Sequence, residues 1–146
     1  MIKTIKIETP LGEMIAGATE DGICLLEFSD RRILQTEYKD LTKQLRTTIE
    51  VGDNKHIKRL RNQLTEYFEG KRKVFSLSLL TPGTEFQQLV WKELQNIPFG
   101  STRSYQEQAI ALNKPRSVRA VANANGMNRI AIVIPCHRVI GSDGNL

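Results

Sequence analysis

Apolar and polar side chains alternate along Met1-Ile2-Lys3-Thr4-Ile5-Lys6, the two-residue period of a strand with one buried face. Three short strands are expected, from Thr4 to Thr9, Glu13 to Ala18 and Ile23 to Phe28, with Pro10-Leu11-Gly12 and Glu20-Asp21-Gly22 as the turns between them. The period then lengthens. Leu34, Tyr38, Leu41 and Leu45, and after them Ile57, Leu60, Leu64 and Phe68, recur at spacings that put each set on one face of a helix. Lys73 to Leu79 offers one more strand. The sum is a small mixed sheet with helices against it, in which Cys24 is expected to pack in the strand core and no catalytic constellation appears.

Leu80-Thr81-Pro82-Gly83 is a turn-forming break, so domains are expected over residues 1–80 and 81–146. The second part is patterned for helices. Thr84 opens a capping box with Gln87, and Phe86, Val90, Leu94 and Ile97 make the apolar face that follows, stopped by Pro98-Phe99-Gly100. Ser104 opens a second box with Glu107, and a short helix should run to Leu112. Asn113-Lys114 makes a tight turn, and Pro115 suits the first position of a third helix that runs through Val118, Val121 and Ala122 to Gly126. Two short helices so joined, the second with Arg116 and Arg119 on its early turns, match a helix-turn-helix. The third helix is rich in small side chains (Ser117, Ala120, Ala122, Asn123, Ala124, Asn125), which suit close approach to a nucleic-acid groove, the reading the neighbouring arginines favour over tight packing against another helix. Ile130 to Ile134 is expected to be a buried strand that Pro135 ends.

Composition narrows the class. With 146 residues and 40% hydrophobic content the chain suits one soluble domain or two small ones. The longest apolar run, Ile130 to Ile134, is far short of a membrane span, and the N-terminus lacks the apolar core of a secretion signal. Cys24 and Cys136 give no disulfide framework, which points to the cytoplasm; His56 and His137 are not spaced with them as in a zinc finger, so no structural metal is expected. The net charge of +5 is unevenly placed. Residues 1–81 hold 14 basic and 12 acidic side chains, whereas from Arg103 to Arg138 the cations Arg103, Lys114, Arg116, Arg119, Arg129 and Arg138 face a single acid, Glu107. An anionic partner, nucleic acid above all, is implied.

The chemistry of the chain centres on Ile134-Pro135-Cys136-His137-Arg138. Pro135 stiffens the backbone before the cysteine, and His137 and Arg138 both favour a thiolate, the nucleophilic form. On the pentapeptide alone, a small buried thiol is as good a reading. A cysteine hydrolase using Cys136 and His137 would need an acyl substrate and would gain nothing from the helix-turn-helix or the arginines.

Residues 84 to 144 resemble the O6-alkylguanine-DNA alkyltransferases, the methylated-DNA–protein-cysteine methyltransferases, through Phe86 to Trp91, Pro98-Phe99-Gly100, Ser104-Tyr105, Arg119-Ala120-Val121, Asn128 and Ile134 to Gly141. The N-terminal part is similar to that family's ribonuclease-H-like domain. The resemblance implies a mixed α/β (α+β) fold, with a ribonuclease-H-like sheet and helices followed by a winged-helix-like helix-turn-helix domain. It also implies a monomer that takes an alkyl group from O6-alkylguanine, and from O4-alkylthymine, in double-stranded DNA onto Cys136. That transfer is irreversible and self-inactivating, and it needs no cofactor. By the same resemblance Arg119 fills the gap left by a flipped-out base, Tyr105 turns the adjacent phosphate and donates to the guanine ring, and Asn128 ties the third helix to the turn bearing Cys136. Gln106, Lys114 and Ser142 match positions that touch the DNA backbone, with Arg116, Ser117 and Arg138 as further candidates. Pro135 and Val139 are candidates for the base pocket.

In that family a bridging water links the histidine to the sulfur, and a glutamate on a later helix orients it. The sequence stops at Leu146, so that helix and a tyrosine- and glycine-containing loop are expected in further chain. Without them the resemblance implies a weakly activated thiol and a DNA-binding sensor of alkylated bases with little or no transfer. With them it implies an ordinary alkyltransferase.

Overall fold

The alternating segments form strands β1 (Ile2–Thr9), β2 (Gly12–Ala18) and β3 (Ile23–Phe28) in a computed structural model that describes residues 1–141. β1 and β2, and β2 and β3, pair antiparallel. After helix α1 (Leu34–Leu45) a short strand β4 (Ile49–Val51) adds parallel to β1, giving a four-stranded mixed sheet of order β3-β2-β1-β4. At three residues β4 is too short to carry a detectable period, and the sequence did not announce it. Helix α2 (Lys55–Phe68) follows, its first turn capped by the Asn54 side chain, which accepts from the Ile57 N–H.

β3 is buried at five successive positions, as a strand must be when both faces are covered, and α1 and α2 both pack against it. Ile2, Ile15, Cys24, Leu25, Leu34 and Leu41 form one apolar cluster of this unit, with Tyr38, Leu45, Ile49 and Leu80 packed onto it. Cys24 is 1% exposed, and burial pushes its thiol up to about 12 from an ordinary 9.0, although a backbone hydrogen bond pulls the other way.

Lys73 to Leu79 does not form the expected strand. Only Leu79 bridges the sheet, parallel to Ile23. The buried Gln63 side chain takes the place of a neighbouring strand: its Oε1 accepts from Ser76 N at 2.9 Å and its Nε2 donates to Ser76 O at 3.0 Å. The segment passes so close to Gly22 (φ +156°) that a Cβ there would lie 2.6 Å from the Ser78 carbonyl oxygen, so glycine is required.

The chain separates into two units, Met1–Pro82 and a second that begins at Gly83. In the second, helix α3 (Glu85–Leu94) leads to a two-residue strand β5 (Arg103–Ser104) and helices α4 (Tyr105–Ala111) and α5 (Val118–Gly126). A 3-10 turn (Cys136–Arg138) and strand β6 (Val139–Ile140) come last. Both predicted capping boxes, Thr84 with Gln87 and Ser104 with Glu107, are made in full. Among the described residues no helix is long and apolar enough to cross a membrane.

Candidate active site

Cys136 owes its setting to an irregular backbone. Ile130 to Ile134 is buried except at half-buried Ala131 but is a turn, correcting the expected strand: Ile132 adopts φ +71° and the Ile134 N–H bonds back to the Ile130 carbonyl at 3.0 Å. A second tight bend follows at Pro135 (φ −81°, ψ 65°), closed by a 2.8 Å bond from Cys136 N to Ile134 O. Cys136 then begins the 3-10 turn, partly exposed, while Pro135 before it and Val139 after it are buried.

Two amides hold this segment, Asn125 on the last turn of α5 and Asn128 two residues past its end. Asn128, 6% exposed, donates through Nδ2 to Ile134 O (2.9 Å) and Ile130 O (3.4 Å) and accepts from Ile130 N (3.0 Å). Asn125, 7% exposed, donates to the Cys136 carbonyl at 3.4 Å, and its Oδ1 is buried with no hydrogen-bond partner among the described residues. In the sequence Asn125 stands out only as one of a run of small residues; the available signal is a pair of asparagines, Asn125 and Asn128, astride the predicted helix stop at Gly126.

β6 pairs parallel with β5, Arg103 opposite Val139 and Ser104 opposite Ile140. That pairing fixes the chain just after Cys136 to the chain just before Tyr105, the first residue of α4. The Trp91 indole ties α3 to α5 by donating to Ala124 O at 2.8 Å inside the core. Tyr105 is half-buried, and Gln106 donates to the Pro115 carbonyl at 3.3 Å, bracing the turn between α4 and α5.

Several expectations change here. Pro115 is not the first residue of α5: Lys114 to Ser117 form a turn, closed by Ser117 N to Lys114 O at 2.9 Å, and α5 begins at Val118. Pro115 has no N–H with which to close a helical bond and biases Lys114 away from helix. Arg116 therefore stands on the turn and Arg119 on the first turn of α5, both exposed, as are Lys114, Ala120 and Asn123. Ser117 is partly exposed. Ala124 and Asn125 face inward, so for them the small side chain serves packing. Arg103, counted in the basic surplus, pairs with Glu93 at 2.9 Å and also donates to the buried Gln108 at 3.1 Å.

His137 and Arg138 differ from two cations poised on a thiol. His137 is exposed, yet partial burial, and after it the charge of Arg138, lower its pKa below the ordinary imidazole value. At neutral pH it is a neutral ring able to accept a proton. Arg138 donates to the Ile97 carbonyl at 2.7 Å and stands over Phe99, with Cζ 5.8 Å from the ring centroid. Its charge is thus held by the segment that ends α3. Ser142 lies outside the described residues.

The second unit is thus a helix-turn-helix domain with a partly exposed cysteine on the turn that follows its second helix in the chain. Residues 85–146 match the DNA-binding domain of 6-O-methylguanine DNA methyltransferase, and residues 2–81 match its ribonuclease-like domain. The chain belongs to this methyltransferase family. It is 42% identical over 141 residues to the methylated-DNA–protein-cysteine methyltransferase of Methanosarcina barkeri, covering 96% of this chain and 83% of the relative. With the constitutive enzyme of that name from Bacillus subtilis it shares 44% identity over 139 residues, covering 95% and 81%. The structure of the Mycobacterium tuberculosis O6-methylguanine methyltransferase superposes with a TM-score of 0.81 at 38% identity, covering all of this chain and 82% of that one. The M. tuberculosis protein OGT in complex with DNA gives 0.78 at 36%, covering 99% and 80%.

Proposed function

We propose that Cys136 is the single-use acceptor for an alkyl group carried on O6 of guanine in double-stranded DNA. The observation that carries this reading is the setting of the thiol. It is partly exposed, fixed from behind by Asn125 and Asn128, and joined through the β5–β6 pairing to the start of the helix-turn-helix. The relatives' names and the DNA complex of the M. tuberculosis protein support the same substrate.

The reaction is a displacement at carbon. The Cys136 thiolate attacks the alkyl carbon from the side opposite O6; the sulfur–carbon bond forms as the carbon–O6 bond breaks, and the electron pair leaves with the purine. The thiol proton passes to neutral His137 through a water. The Tyr105 hydroxyl donates to the ring as negative charge builds there, which makes the guanine anion a better leaving group. The released guanine takes up one proton, so that thiol and O6-alkylguanine become thioether and guanine. No cofactor enters the balance. A thioether does not regenerate a thiol under mild conditions, so each molecule acts once.

The alkyl carbon lies inside the duplex, and the base must leave the stack at a cost of a few kcal/mol. Exposed Arg119 on the first turn of α5 enters the gap, while Lys114, Arg116 and Ser117 meet the backbone beside it. Duplex DNA carrying methyl-labelled O6-methylguanine, incubated with the protein and digested, should leave label on the peptide containing Cys136 and restored guanine in the DNA. Label that stays on tightly bound DNA would replace transfer with a sensing role. Arg119→Ala should slow transfer from duplex far more than from the free base, and equal losses would remove Arg119 from the flipping step.

A further inference from the structure

The outer face of α2 carries Lys55, Lys58, Arg59 and Asn62, which recur at helical spacing and are all exposed, while Ile57, Leu60 and Leu64 fill the buried side. None of the three cations is ion-paired among the described residues. The acids flanking the helix are taken by other arginines, Asp53 by Arg61 at 3.1 Å and Glu66 by Arg72 at 2.9 Å. The β2–β3 turn, which holds Glu20 and Asp21, meets α2 through its backbone, where the Glu20 carbonyl lies 2.8 Å from His56 Nε2. Although the N-terminal unit is nearly neutral by count, its charges are sorted, and this face is left positive.

The arrangement works against the helix that bears it. Like charges at i, i+3 and i, i+4 repel, and Lys55 and Lys58 sit at the positive end of the helix dipole, with no acid in the first turn to offset them. A face kept only for solubility would do better with mixed signs. Lys, Arg and Asn without an apolar anchor are poor ground for a protein partner, whose interfaces centre on buried aromatic and aliphatic side chains. They are the side chains that bind phosphate oxygens.

We propose that this face of α2 is a second, sequence-independent contact with the DNA phosphate backbone, in addition to the helix-turn-helix. The proposal rests on the reading of the protein as an alkyltransferase that acts on DNA. It is tested by binding undamaged duplex to the full chain across a salt series, with wild type beside Lys55→Gln/Lys58→Gln/Arg59→Gln. Each phosphate contact contributes a slope of about −0.9 in log affinity against log salt. If each cation makes one, the triple variant's slope is shallower by about 2.7, and between 50 and 200 mM salt wild type should lose about 40-fold more affinity than the variant. A comparison protein with Arg32, Lys39 and Lys43 changed to Gln, all exposed and at or on α1, loses the same charge and should keep the wild-type slope. The α2 variant should also unfold no more easily than wild type, since repulsion has been relieved. An unchanged slope in the α2 variant, or an equal change in the α1 variant, overturns the proposal. Methyl transfer to Cys136 from free O6-methylguanine base, measured on the same proteins, keeps the two readings apart. If wild type transfers but the slopes coincide, only the α2 contact fails; if wild type does not transfer, the alkyltransferase reading fails whatever the slopes.

Discussion

Asn128→Ala should both destabilise the second unit and slow alkyl transfer, and the size of the first effect follows from which groups lose their partners. The amide makes three bonds to the chain that leads to Cys136. The two carbonyls it serves each keep another donor: Ile130 O still accepts from Ile134 N at 3.0 Å, and Ile134 O from Cys136 N at 2.8 Å. Ile130 N has no other partner among the described residues. An orphaned buried N–H costs about 1–3 kcal/mol, and the loss of a second bond at a carbonyl about 0.5–1.5 kcal/mol. With the 3.4 Å bond counted as minor, the expected loss is about 1.5–4.5 kcal/mol, a large part of the ~5–15 kcal/mol that holds an ordinary domain together.

Trp91 is the assay's natural probe. It is the only tryptophan, 4% exposed, and bound to α5 through Ala124 O, so its fluorescence in a urea titration reports the unit in question. Asn128→Asp is the sharper companion. It keeps an acceptor for Ile130 N but has no donor for either carbonyl and buries a charge, so it should fail to rescue stability. If Asn128→Ala shifts unfolding by less than about 0.5 kcal/mol, or if Asp equals Asn, the amide is not what holds the turn.

Asn125→Leu should behave differently, since it gives up one long bond and removes a buried acceptor that has no partner among the described residues; stability should stay within about 1 kcal/mol of wild type while transfer slows. A loss of stability like that of Asn128→Ala would show that the Cys136 carbonyl bond is stronger than its length implies. Iodoacetamide at pH 8 should label one thiol in the native protein, on Cys136, and two after denaturation; native labelling of Cys24 at a similar rate would refute the buried setting given to it. Because the unfolded chain ionises Cys24 near 9 and the folded chain near 12, stability should also fall as pH rises between those values, and Cys24→Ala should flatten that decline. His137 has a lowered pKa, so it is neutral above the ordinary imidazole range and gains its proton as pH falls below about 6.5. Transfer should decline through that protonation in wild type, and His137→Gln should lose the corresponding limb; identical pH profiles would leave His137 without a role in taking the thiol proton.

What could be seen in the sequence was whatever repeats. β1 to β3, α1 and α2 announce themselves by period, and α3 and α4 by capping boxes that the fold makes as written. The failures are short apolar runs. Lys73 to Leu79 and Ile130 to Ile134 have the composition of strands, but in each a buried side-chain amide, Gln63 or Asn128, takes the backbone groups a neighbouring strand would have taken. Gln63 reaches Ser76 from α2, thirteen residues away, which no local pattern encodes. Asn128 acts on Ile130 and Ile134 from two and six residues before them, a local competition that has no repeating period. The site divides in the same way. Cys136 and Asn128 stand in motifs, whereas the contact of Asn125 with Cys136 joins residues eleven positions apart through a turn that was read as a strand.

That misread turn is also what separates the two cysteines. Cys24 lies in a regular strand covered on both faces and is inert for that reason. Had Ile130 to Ile134 continued as a strand through Cys136, the two-residue period would have set Cys136 on the side of Ile130, Ile132 and Ile134, which are 1%, 8% and 0% exposed. It would have been a second core thiol. The bend at Ile132, the bend at Pro135 and the 3-10 turn break that period within five residues, so that Cys136 is partly exposed while Ile134 before it and Val139 after it stay in the core. A rigid nucleophile that a base can reach requires both properties at once, and a regular strand buried on both faces cannot supply the second.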